Sequence, residues 1–268
     1  MIPGGPETVT RLIVGLGNPG PRYDGTRHNV GFDVVRRLRA RLQRRGWSVR
    51  GPFARFDAAS PDFDLYSPDG DGSEDPGVIT LEPGRFMNRS GEPTIRALED
   101  CGLGAQDVLV VYDDLDLPLG QLRVRRKGSS AGHRGVEDIL RALGTDRFDR
   151  LKVGIGRPDR SAVNDEGETV VDWVLEPFDP GQRKVIEAAI EAAAAACETW
   201  CRQGAIAAMN EFNGYRPPTG DETERTEPEA PRRSGLDTTP SRSADPSAGN
   251  QPSGAGSATD NATRSDDE

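Results

Sequence analysis

Histidine, cysteine and aromatic residues are all scarce in this 268-residue chain, and each scarcity excludes something. The three cysteines, Cys101, Cys197 and Cys201, form an odd set without CxxC spacing, which supports neither a disulfide scaffold nor a structural zinc site. Cys197 and Cys201 stand one helical turn apart and read as small buried hydrophobes. No run of 18 apolar residues occurs, and the opening MIPGGPETV has neither a basic n-region nor an apolar h-region. A membrane span or a secretory signal is therefore not expected, and the chain reads as cytoplasmic. Apolar residues make up only 34% of the total, so part of the chain is expected to lie outside any core.

That part is the end of the chain. Residues 217–268 hold one Leu, six Ala, seven Pro and no aromatic, with eleven acids against five bases. Such a segment cannot bury enough apolar surface to offset its ordering entropy, so a disordered acidic tail is expected there, with the fold ending near residue 216. A second acidic stretch, residues 60–77, has six acids and no base among Gly, Pro and Ser and reads as a loop insert. The formal charge of −10 is concentrated in these two segments, and the other 198 residues carry a balance of +2. The acidic total thus does not argue against a polyanionic partner for the folded part.

Short apolar runs alternate with amphipathic stretches along residues 10–216. Strands are expected at Leu12–Val14, Val78–Leu81, Val108–Tyr112, Leu122–Arg126 and Leu151–Ile155. Helices are expected at Phe32–Arg45, Thr94–Cys101, Gly135–Leu143 and, longest, Gln182–Gln203, each stopping before a glycine. This alternation gives an α/β class in one domain. Arg123 and Arg125 alternate along their strand, which puts both on one face.

GLGNPG at Gly15–Gly20 follows a strand and fits the dinucleotide-binding pattern GxGxxG. The pattern requires a helix to start at its last glycine, but Pro19 and Pro21 flank Gly20 and a polar stretch runs on to Asn29. The acid expected some twenty residues later is replaced by Arg and Gln within Ala40–Arg45, so a nicotinamide or flavin enzyme is disfavoured. More informative is a set of polar residues at or just after expected strand ends: Asn18, His28, Asn29, Asn88, Asp113 and His133. In open α/β sheets that edge is where ligand crevices form.

Four blocks give these residues a context: LIVGLGNPGPRYDGTRHNVGF from Leu12, FMNRSG from Phe86, VVYDDLDLPLGQLRVRRKGSSAGHRGVEDI from Val110, and RLKVGIGRP from Arg150. With a weaker match from VVDWVLEPF to AMNEFN, they cover about residues 10–213, and the chain resembles the bacterial peptidyl-tRNA hydrolases. The resemblance implies a mixed twisted β-sheet flanked by helices. It also implies a monomeric, metal-independent esterase without a cofactor, which cuts the ester between a peptide and the 3′ end of tRNA.

Carried over by position, His28 is the general base on water, and Asp113, expected just past its strand, orients that imidazole. Asn18 is the residue that distinguishes blocked peptidyl from free aminoacyl substrates, an amide offering both donor and acceptor. Asn88 positions the water or the scissile carbonyl. Tyr23, Phe86, Met87 and His133 are substrate contacts, and Arg123 and Arg125, within RVRRKG, face tRNA phosphates. Asp114 and Asp116 read as turn residues. No GxSxG motif is present and Ser90 lacks a neighbouring base, which favours water as the nucleophile.

The chain departs from the pattern at Arg134, where GHRG stands for the family's usual GHNG. Arginine can donate but not accept, so either it holds a phosphate of the tRNA 3′ end or activity is reduced. The competing reading is a non-catalytic RNA-binding relative of the same fold. It is disfavoured because Asn18, His28, Asn88 and Asp113 are all present.

Overall fold

The computed structural model describes residues 10–52, 62–68, 77–158 and 170–218, all within the unit formed by residues 1–227. The expected tail lies outside these residues except for its first two. So do 60–61 and 69–76 of the expected acidic loop.

Seven strands form one mixed sheet in the order β2-β3-β4-β1-β5-β7-β6. They are β1 (Arg11–Gly15), β2 (Trp47–Pro52), β3 (Asp62–Pro68), β4 (Val78–Glu82), β5 (Val108–Asp114), β6 (Leu122–Arg125) and β7 (Asp149–Gly154). Strands β4, β1, β5 and β7 run parallel, and antiparallel neighbours flank them on both sides. The central parallel strands β1 and β5 are buried on both faces and read accordingly as apolar runs, such as Leu12, Ile13 and Val14, each fully inaccessible.

Six helices cover the two faces: α1 (Val30–Arg44), α2 (Gly91–Cys101), α3 (Arg134–Leu143), α4 (Val170–Leu175), α5 (Pro180–Gln203) and α6 (Ala205–Phe212). One core packs Ile13, Leu109, Val111 and Leu151 against α1, α4, α5 and α6. The other packs Leu12, Val14, Val110 and Tyr112 against α2 and α3. Cys197 and Cys201 are buried in the first core, as expected.

Three expectations change. The stretch 60–77 is not wholly a loop, because β3 crosses it and pairs antiparallel with β4 through Leu65↔Ile79. Its DFDL alternation is a strand signal that the surrounding Asp, Gly and Pro outweighed in the sequence. Strand β2 and helices α4 and α6 had no counterpart among the expected elements. Asp113 lies inside β5, paired in register with Val153 of β7, rather than past its strand.

Gly15 and Gly17 of GLGNPG have a packing explanation, and Gly20 adopts a φ of 104° that favours glycine. A Cβ on Gly15 would stand 2.3 Å from the Gly31 carbonyl oxygen of α1, and one on Gly17 would stand 2.7 Å from the Phe32 ring. Gly31 in turn lies where a Cβ would meet the Val111 carbonyl oxygen at 2.4 Å and the Leu16 amide nitrogen at 2.5 Å. Helix α1 therefore rests backbone to backbone on the ends of β1 and β5, with no phosphate needed to account for the glycines. Gly31→Ala is expected to cost about 2–3 kcal/mol, since the obstructing atoms are backbone and cannot rotate away. Thermal unfolding checks this, and an unchanged melting temperature would contradict it.

The arginines of α1 are engaged within the fold. Arg36 and Arg39 pair with Glu82 of β4, Arg37 and Arg41 with Glu191 of α5, and Arg41 and Arg45 with Glu198 of α5.

Candidate active site

The carboxyl ends of the four parallel strands open into a cavity of about 550 Å³. Its wall includes Asn18 after β1, Phe86–Asn88 after β4, Asp113 and Asp114 of β5, His28 before α1, and Ser130–Arg134 leading into α3. Helix α4 supplies Val170, Val171, Val174 and Leu175. Eight of the eleven residues singled out by the sequence therefore line one cavity. Tyr23 is outside the lining and reaches it through edge contact with Phe86, ring centroids 6.3 Å apart. Arg123 and Arg125 are also outside it, on β6.

Asp113 is the buried hinge of the site, 4% exposed. Its Oδ1 lies 2.9 Å from His28 Nδ1 and 3.0 Å from His133 Nε2. The tautomers follow from the hydrogen bonds. His133 caps α3 by accepting the Val136 amide proton on Nδ1 at 3.3 Å, so its proton sits on Nε2 and is donated to Asp113. His28 donates Nδ1–H to the same oxygen, which leaves its Nε2 lone pair without a protein partner among the described residues. The two imidazoles lie 5.0 Å apart, and the Tyr112 ring meets His133 edge-on at 4.9 Å.

Burial alone would push the His28 pKa down, but the charge of Asp113 and its hydrogen bond raise it above the ordinary value against a smaller opposing effect of Arg134. Burial would likewise raise Asp113. The electrostatic attraction of the His28 and His133 rings, with their two N–H donors, instead holds its carboxyl well below the usual carboxylate range.

Among the described residues, His28, Asp113 and His133 are the one trio spaced to hold a metal ion, their ligand atoms lying within 4.8 Å of one another. Both nitrogens facing Asp113 act as N–H donors in this pattern. A cation would require both rings to change tautomer and the Val136 amide to lose its acceptor. The donor set is thus arranged for hydrogen bonding.

Asn18 is held by a residue that no sequence motif singles out for a role of its own. Asn29, fully buried, accepts the Asn18 backbone N–H at 2.8 Å and donates to the Asn18 carbonyl at 2.9 Å. The Asn18 side-chain oxygen accepts the Met87 N–H at 2.8 Å. One lone pair of that oxygen is thereby taken, while Asn18 Nδ2 has no protein acceptor among the described residues. Ser90 donates its hydroxyl to the Met87 carbonyl at 2.8 Å. Asp114 accepts from the Asp116 and Leu117 amides and from Lys152 Nζ, a turn role as expected.

Arg27, 1% exposed, also went unnoticed in the sequence. Its guanidinium lies 3.6 Å from the Trp173 ring centroid and donates to the Trp173 carbonyl, while its own N–H donates to the Glu176 carbonyl. It ties the turn carrying His28 to α4. An arginine directly before the histidine was the available signal, but its partners lie some 150 residues away.

A sequence profile described as peptidyl-tRNA hydrolase matches residues 12–220. The chain belongs to the peptidyl-tRNA hydrolase family. It is 42% identical over 207 residues to the peptidyl-tRNA hydrolase of Halalkalibacterium halodurans, covering 76% of this chain and all of that one. It is 46% identical over 183 residues to that of Aquifex aeolicus, covering 68% and 85%. Among solved structures, peptidyl-tRNA hydrolase from Acinetobacter baumannii superposes with a TM-score of 0.64 at 29% identity, covering 80% of this chain and all of that one. The family fold, a mixed sheet between helices, is the one described above. No helix among the described residues is long and apolar enough to cross a membrane.

Proposed function

We propose that the protein hydrolyses the ester between a peptide and the 3′ oxygen of tRNA, with His28 as general base. The observation that carries this reading is the His28 ring, oriented by Asp113 through Nδ1 and presenting an unpartnered Nε2 at the cavity. In the reaction a water proton passes to Nε2 while the water oxygen bonds to the ester carbonyl carbon. The tetrahedral species then expels the tRNA 3′ oxygen, which takes the proton back from the imidazolium. Hydroxyl ends on the acyl carbon, hydrogen on the tRNA oxygen, and His28 returns to its starting state. Asp113 keeps the tautomer fixed and stabilises the transient imidazolium.

Asn18 Nδ2 and the exposed amide of Asn88 supply uncharged donors for the carbonyl region or the water. Phe86, with Tyr23 against it, and Met87 and His133 in the wall, complete the contacts to substrate. For the tRNA, the β6–β7 ladder places Arg123 opposite Lys152 and Arg125 opposite Arg150. Arg150 is buried and Lys152 is held by Asp114, so Arg123 and Arg125, half-buried on β6, are the cations of this ladder left to meet phosphates. Arg134 is placed with this tRNA-binding set. The substrate's part in translation supports a cytoplasmic protein, and the proton transfers written above call for no cofactor.

The test is release of N-acetylphenylalanine from N-acetylphenylalanyl-tRNA by the full-length protein, against the unblocked aminoacyl-tRNA. Release from the blocked substrate at a far higher rate is expected. Binding of tRNA without release would instead establish the non-catalytic RNA-binding relative. Asn18→Asp keeps an acceptor for the Met87 N–H but loses the donor, so turnover is expected to fall about 10²–10³-fold with little change in melting temperature. Turnover equal to the wild type would remove Asn18 from the site.

A further inference from the structure

The cavity wall includes three side-chain cations, Arg134, Lys152 and Arg157. Lys152 pairs with Asp114 and Arg157 with Asp116. Arg134 has no hydrogen bond or ion pair among the described residues and is exposed. It opens α3 directly after His133, whose Nε2–H is bound to Asp113, so its backbone position is fixed relative to the His28 base.

The two faces of the sheet differ at this cavity. Lys152 lies 5.8 Å from the centroid of the Tyr112 ring, and Tyr112 belongs to the core shared with α3. Arg123 and Arg125 share that face through their register with Lys152 and Arg150. The opposite face ends in α4, where Val170 and Val171 are about half exposed. Cations are thus gathered on the α3 side and aliphatic surface on the α4 side.

We propose that Arg134 holds the phosphodiester on the 5′ carbon of the terminal adenosine, the anion of the substrate nearest the scissile ester. This rests on the reading of the protein as a peptidyl-tRNA hydrolase and assigns one interaction within it. The ester itself is neutral, and the next charge along the substrate is that phosphate on the same ribose. A guanidinium can engage two of its oxygens at once, which an asparagine amide does only with one donor group and no charge. The position carries a second consequence. Asp113 on β5 favours a protonated His28 and Arg134 on α3 opposes it, so a cation here helps keep the base neutral in the free enzyme.

The test compares two short substrates on the full-length protein: N-acetylphenylalanyl esters of the trinucleotide CCA and of adenosine, which lacks the phosphate. Arg134→Asn is expected to raise KM on the trinucleotide ester about tenfold more than on the adenosine ester, with Arg134→Lys intermediate. The slope of log(kcat/KM) against log salt on the trinucleotide ester becomes shallower by about 0.7, as expected when one phosphate of a single strand is no longer neutralised. The acid limb of kcat/KM moves to higher pH. Equal effects on both substrates would overturn the inference, and if they fell on kcat they would put Arg134 at the carbonyl instead. An unchanged KM on both would also overturn it. Failure of the parent reading is distinguishable, because the wild type then hydrolyses neither ester and the inference falls with it.

Discussion

His28→Ala is expected to lower kcat on N-acetylphenylalanyl-tRNA by about 10²–10⁴-fold while KM stays within a few-fold, because the loss is of a positioned base rather than of binding surface. The fold should survive. Asp113 loses one of its two imidazole donors but keeps His133 Nε2–H at 3.0 Å, so the buried carboxylate is not stranded. Circular dichroism and thermal unfolding check this. A second readout separates chemistry from structure: imidazole added to the alanine variant can occupy the vacated space and accept the proton, so partial rescue is expected. A variant that retains wild-type kcat would remove His28 from the base role.

Asp113→Asn is expected to be nearly as damaging, on the order of 10³-fold in kcat, because a neutral amide neither fixes the His28 tautomer nor stabilises its imidazolium. It also changes two pH dependences. Asp113 raises the His28 pKa, so its neutralisation moves the acid limb of kcat/KM to lower pH. For stability, the depressed carboxyl contributes above its unfolded pKa of about 3.9 and loses that contribution as the pH falls through its native value. The raised imidazole contributes below its unfolded pKa of about 6.5 and loses that contribution as the pH rises through its native value. The pair thus stabilises the native state most between about pH 4 and 6.5, whereas turnover improves above that window. In Asp113→Asn the melting temperature should vary less with pH on both sides. A pH–stability curve identical to the wild type would contradict this assignment.

Where local pattern and tertiary role coincide, the sequence is readable. Leu12–Val14 and Val108–Tyr112 are apolar because both sheet faces are covered, and the carboxyl ends of such strands with the segments after them are where Asn18, His28 and Asp113 converge. Strand β3 is hidden because its evidence is a partner: DFDL becomes a strand by pairing with Val78–Glu82, while its flanks carry turn residues. Helix α4 is six residues long and too short for a helical period to emerge. The role of Asn29 lies in two hydrogen bonds to the backbone of Asn18, eleven residues away, a reciprocity that no local pattern encodes. GLGNPG shows the converse, a motif with a familiar ligand meaning whose Gly15 and Gly17 are small because Gly31 and Phe32 pack on them.

The central claim is that a neutral His28, held by Asp113, takes the proton from the attacking water. The pH dependence of kcat/KM on N-acetylphenylalanyl-tRNA tests it most directly, since that parameter reports ionisations of the free enzyme. A single ionisation is predicted, with the rate rising as pH increases through a midpoint above about 6.5 and the midpoint matching the NMR titration of the His28 ring. A flat profile, or one whose midpoint is unmoved in Asp113→Asn, would contradict the account.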